Sequence, residues 1–187
     1  MIRYIIFIFI FSHALALAEV RIRPSEWAVP IIGSHLKNIY QVDKDIYRSE
    51  QPGHKAFEEL SKFGITEVLN LRQYHSDNDE TKGVDLKLHR LKLNAGLVSE
   101  NEIIRALSII QKRKGPILIH CRHGSDRTGV VIAAYRIIFQ QWSKMKASDE
   151  MANGGYGYHS TIYPNLIKLI KNLDVSKIRN ELGMHVD

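Results

Sequence analysis

One cysteine in 187 residues excludes an internal disulfide, so the chain must be held by an ordinary hydrophobic core. It has no repeat, no low-complexity tract, no nucleic-acid motif and no block of like charge. Its nine histidines show no metal-ligand spacing, so neither a zinc module nor a metal cofactor is expected. No apolar run reaches the roughly 20 residues that a spanning helix needs. Basic residues exceed acidic ones, 26 to 20. That mild excess suits anionic substrates, although the basic residues are spread along the chain.

What is present begins with a targeting pattern. Arg3, the apolar stretch from Ile5 to Phe11, and Ala16-Leu17-Ala18 before Glu19 have the layout of a cleavable signal peptide over residues 1–18. The expectation is a periplasmic or secreted protein that does not span a membrane after cleavage. An arm follows at 19–35, packed by Trp27 and Ile31-Ile32, and then one domain over 36–182. Nothing in the sequence specifies an oligomeric state.

Strand and helix patterns alternate through the domain. Asp43-Lys44-Asp45 turns a hairpin between 39–42 and 46–48. Residues 54–63 read as a helix with Phe57 and Leu60 inward and Gly64 as its left-handed cap. Residues 65–71 read as a buried strand, and the partial alternation of Leu86, Leu88 and Leu91 as a half-exposed one. Ser99-x-x-Glu102 is a capping box opening a helix to about Lys114. Three further helices are expected over 143–152, 162–173 and 176–182. The sum is an α/β fold: a three-layer sandwich with a mostly parallel sheet flanked by helices. In such sheets, sites lie at the carboxyl ends of the strands.

The segment with most chemistry is Ile117-Leu118-Ile119-His120-Cys121-Arg122-His123-Gly124-Ser125-Asp126-Arg127-Thr128-Gly129. A short strand ends in the lone thiol, and a helix apolar nearly all round starts near Thr128. The loop between them faces that helix's free N–H groups and positive dipole end, an anion site. The amides of Arg122, His123, Gly124 and Ser125 can converge as a nest, with Gly124 easing the backbone. Helix N-termini and cationic neighbours favour the thiolate form of cysteine, which is then the nucleophile for phosphorus. Arg127 offers a planar fork to two phosphate oxygens. Thr128 can donate its hydroxyl to the sulfur, and His120 can orient the loop.

This stretch resembles the His-Cys-x5-Arg-Ser/Thr-Gly signature of the cysteine-dependent protein tyrosine phosphatases, in their compact dual-specificity branch. Ile46-Tyr47-Arg48-Ser49-Glu50-Gln51-Pro52 resembles a segment of small periplasmic bacterial members, as do 63–72 and Gly154-Gly155-Tyr156-Gly157. The resemblance implies a metal-independent phosphatase acting on phosphotyrosine, with phosphoserine and phosphothreonine as further substrates, through a cysteinyl-phosphate. Inositol-phosphate hydrolysis, or phosphate binding without turnover, are the alternatives.

The resemblance leaves one part missing. Such enzymes take the leaving-group proton from an Asp on the loop before the capping-box helix, yet 93–99 holds no carboxylate. Three sets of residues stand as candidates. Asp126 precedes Arg127, as in the Asp-Arg-Thr loops of myotubularin-type lipid phosphatases, and is the preferred donor; bracing the loop is its other reading. Asp77 and Asp79 either reach over the pocket or lie in a solvated loop. Glu100 and Glu102 suit the helix start.

Overall fold

The computed structural model describes residues 23–184, so the signal-peptide segment lies outside it. Six strands form one mixed sheet: β1 (Val29–Pro30), β2 (Tyr40–Gln41), β3 (Ile46–Ser49), β4 (Glu67–Arg72), β5 (Lys87–Leu93) and β6 (Ile117–His120). Their order is β1-β2-β3-β6-β4-β5. The β1-β2-β3 pairings are antiparallel and the rest parallel. The α/β sandwich expectation therefore holds, with an antiparallel edge added.

Helix α1 (His54–Phe63) packs Phe57 and Leu60 on one sheet face against Tyr47, Val68 and Leu118. Gly64 closes it at φ 106° and donates to Leu60 O and Ser61 O, the left-handed cap. The other face carries α2 (Glu100–Gln111), α3 (Asp126–Phe139), α4 (Lys144–Asn153), α5 (Pro164–Asn172) and α6 (Val175–Glu181). The α2 capping box is formed: Ser99 accepts from Glu102 N–H while the Glu102 carboxylate accepts from Ser99 N–H. Helix α3 is enclosed, with twelve of its 14 residues buried. It supplies the central pillar because α2, α4, α5 and α6 all pack on it.

Two local expectations are corrected. The arm does not pack through Ile32, which is 87 % exposed; Trp27 and Ala28 are buried, and Val29–Pro30 adds an edge strand instead. Helix α3 starts at Asp126 rather than near Thr128, placing a carboxylate in the first turn where the dipole favours it.

Register places the site. Ser49 and Asn70 flank His120 where β3 and β6 end and β4 nears its end, so the chain after His120 emerges at the carboxyl edge of all three. Arg72 and Leu93 are the last residues of β4 and β5, on the same edge.

Candidate active site

The 121–127 loop is shaped by its carbonyls. Gln51 N–H donates to Arg122 O (3.2 Å), Asn38 Nδ2 to His123 O (2.7 Å), and Arg48 Nη2 to Gly124 O (2.7 Å). Because a peptide plane sets its C=O and N–H in opposite directions, three carbonyls drawn outward turn the amides of His123, Gly124 and Ser125 inward. Gly124 has φ 71°, and a Cβ there would sit 2.4 Å from Ser49 O, so only glycine fits. Ser125 does not face solvent through its side chain. It is buried, and its hydroxyl donates to Tyr156 O (2.7 Å).

Arg48 is the part that sequence reasoning missed. Its side chain is buried, lies 3.6 Å from the Tyr156 ring centroid, and links β3 to the loop crest. Burial draws its guanidinium below the ordinary value, while Tyr156, Glu150 and Cys121 act in the opposite direction. The Tyr156 hydroxyl, pushed up to about 12 by burial and then by Glu150, remains a donor to Glu150 Oε1 (3.0 Å). The signal for Arg48 was its place in the Tyr-Arg-Ser segment; its partner, 76 residues away, was not legible.

Two adjoining clefts open over the loop. One, about 250 Å³, is lined by Arg72, Gln73, Tyr74, Leu93, Asn94, Ala95, Arg122, Arg127 and Tyr163. The other, about 220 Å³, is lined by Ala95, Arg122, His123, Asp126, Arg127, His159, Ile162 and Tyr163. Cys121 is 2 % exposed and lies just before Arg122, near enough for its charge to act on Arg72 and Arg48. Burial, then the nearby Arg127 and Arg122 charges, lower the Arg72 guanidinium from its ordinary value. Three arginines facing one basin repel one another, and an anion relieves that repulsion.

Arg127 Nη1 reaches Leu93 O at 3.5 Å, and its buried Nε has no partner among the described residues. Thr128 Oγ1 is likewise buried without a partner, so its expected bond to the sulfur is not formed. Donors left unsatisfied in a buried site are costly unless a ligand accepts from them.

The candidate acids sort by geometry. Asp126 is 7 % exposed, and both its oxygens are engaged by His159: Oδ1 with the backbone N–H (3.0 Å), Oδ2 with Nδ1 (2.9 Å). Asp77 is not in a solvated loop. It is buried, accepts from Gln51 Nε2 (2.8 Å), and pairs with His120 Nε2 (2.9 Å). His120 Nδ1 lies 3.3 Å from Cys121 O, so the histidine spans from Asp77 to the backbone of Cys121. Asp79 is exposed and paired with Lys82. Glu100 binds Asp174 N–H and Lys177, and Glu102 serves the capping box.

Burial alone would raise the Asp77 carboxyl. The hydrogen bond and charge of His120, with Gln51 and Asn70, outweigh it and hold the group below the usual carboxylate range. A depressed folded-state value contributes stability above the unfolded value, near 3.9, and loses it as pH falls through the folded value. Asp77→Asn should therefore cost about 1–3 kcal/mol at neutral pH. Urea midpoints of variant and parent should converge in acid; a gap that stays constant down to pH 2 would refute the pairing.

A lone thiol at a strand end, an outward-tied loop and an arginine on the first turn of a buried helix define a cysteine-based oxyanion site on a mixed α/β sheet. The sequence pattern of the tyrosine phosphatase family matches residues 35–175, and the chain belongs to that family. It is similar to the dual specificity protein phosphatase TpbA of Pseudomonas aeruginosa, 32% identical over 124 residues. That match covers 64% of this chain and 56% of TpbA, so the chain spans little more than half of that curated relative. The crystal structure of a TpbA cysteine-to-serine variant with phosphotyrosine superposes with a TM-score of 0.78 at 27% identity, covering 88% of this chain and 100% of that one. The inositol diphosphatase DSP5 of Arabidopsis thaliana is 29% identical over 128 residues, covering 60% of this chain and 59% of DSP5.

Proposed function

We propose that this protein is an exported phosphatase that hydrolyses phosphotyrosine on proteins, with phosphoserine and phosphothreonine as poorer substrates. The observation that carries the reading is the ring of inward amides held by Arg48, Asn38 and Gln51 around the loop from Cys121 to Arg127. Cys121 Sγ attacks phosphorus as thiolate, forming S–P as the bond to the tyrosine oxygen breaks. The amides and the Arg127 fork bear the charge that spreads over the equatorial oxygens. Water then attacks phosphorus, and the thiolate leaves. Export rests on the signal-peptide pattern of residues 1–18.

Preference for phosphotyrosine follows from the leaving group. A phenol has a pKa near 10 and departs with far less protonation than a serine alkoxide. The 93–99 loop offers no carboxylate to assist the harder case. Exposed Tyr74 and half-buried Tyr163 on the cleft wall suit an aromatic ester. Phosphotyrosine peptides should turn over at least tenfold faster than matched phosphoserine peptides without added metal; equal rates would sink the preference.

A second reading, hydrolysis of a diphosphorylated inositol, is favoured by one observation: Arg72, Arg122 and Arg127 crowd one cleft. Its leaving group is itself a phosphate and needs little protonation. Against it, the loop places only Arg122 and His123 beyond Arg127, without lysines. Assaying the same preparation on inositol diphosphates and inositol lipids separates the two.

A further inference from the structure

We propose that His159 is the proton donor to the leaving oxygen, held in position by Asp126; this rests on the phosphatase reading above. The carboxylates near the cleft are otherwise engaged. Asp77 is tied to His120 and Gln51, and Asp126 accepts from His159 through both oxygens. His159 is half exposed and lines the same cleft as Arg122 and Arg127, so its ring is open to an ester bound there.

The tautomer follows from the partner. A carboxylate only accepts, so Nδ1 carries a proton toward Asp126 and Nε2 is the nitrogen that exchanges one with the substrate. Charged and titratable groups that line the cleft with this ring are Asp126 and Arg127 from α3, Arg122 and His123 from the loop, and Tyr163. The His123 ring centroid lies 5.9 Å away.

In the first step the S–P bond forms and the P–O bond breaks. The leaving oxygen takes the Nε2 proton, turning imidazolium into neutral imidazole. In the second, the attacking water gives its proton to Nε2, its oxygen bonds phosphorus, and Cys121 leaves as thiolate. Asp126 stays ionised throughout. An acid must be protonated to act, so it produces the alkaline limb of the pH–rate profile.

The test uses the full-length chain and two aryl monoesters, phenyl phosphate and an activated nitrophenyl phosphate. His159→Gln keeps the backbone bond to Asp126 and removes the transferable proton together with the Nδ1 bond to Asp126. Its turnover of phenyl phosphate should fall about 10²–10³-fold, the usual reach of general acid catalysis. Turnover of the activated ester should fall less than about tenfold, since little protonation is needed there. The alkaline limb should disappear, and added imidazole should restore part of the phenyl phosphate activity in His159→Gly. Asp126→Asn should shift both readouts in the same direction by less. Equal losses on both esters, a retained alkaline limb, or an ester-selective loss in His123→Gln instead would overturn the assignment. Wild-type chain inert on both esters would strike the phosphatase reading itself, whereas wild-type turnover insensitive to His159 strikes only the proton donor.

Discussion

Replacing Cys121 with serine should reduce turnover of phosphotyrosine peptides by at least about 10⁴-fold while the peptide still binds. In the proposed mechanism the sulfur is the attacking atom, and a serine hydroxyl in its place is far less acidic and so a weaker nucleophile. Binding survives because it belongs to other atoms: the inward amides, Arg127 Nε and the arginine-lined cleft. Arg127→Lys should behave differently. A point charge replaces a planar fork, so turnover should fall about 10²–10³-fold and binding should weaken as well. Steady-state kinetics with calorimetric titration of a phosphotyrosine peptide gives both numbers. A serine variant retaining more than a few per cent of wild-type turnover would sink the nucleophile assignment.

Glu150→Ala should be the most damaging substitution far from the nucleophile, costing about 3–5 kcal/mol of stability. The carboxylate is buried at 2 % exposure and accepts four bonds. Arg136 Nε and Nη2 form a bidentate pair at 2.9 Å each, Ala28 N–H donates at 2.7 Å, and the Tyr156 hydroxyl at 3.0 Å. Removing it strands the Arg136 charge in a site 3 % exposed. It also frees the Tyr156 ring that backs Arg48 and, through Arg48, the Gly124 carbonyl. Activity should therefore fall even where the variant remains folded. Adding Arg136→Met should recover part of the stability, because the pair is lost together rather than broken. Denaturant midpoints of the two variants decide this; a single variant within 1 kcal/mol of the parent would contradict the network.

Much of the fold was legible because its signals are local. The Gly64 cap, the Ser99–Glu102 capping box and the hairpin at Asp43-Lys44-Asp45 each depend on residues within a few positions of one another. Ile32 was misjudged because an apolar residue in an arm says nothing about which side of the chain meets the core. Asp77 was misjudged for the same reason in reverse: polar sequence around it suggested solvent, while β4 and β6 bring Asn70 and His120 alongside.

What the sequence by itself determined is the loop: thiol, five residues, arginine, threonine, then a helix enclosed on all sides. Those features sit in one continuous stretch, where spacing and helix direction alone set the geometry. Only the tertiary structure decided what grips that loop and what faces it. Arg48 on β3, Asn38 just before β2 and Gln51 just after β3 tie its carbonyls, Glu150 and Tyr156 brace them from behind, and Asp126 draws in His159 from 33 residues away. Hydrogen bonds act across about 3 Å of space, and distance along the chain carries no information about which groups will lie that close.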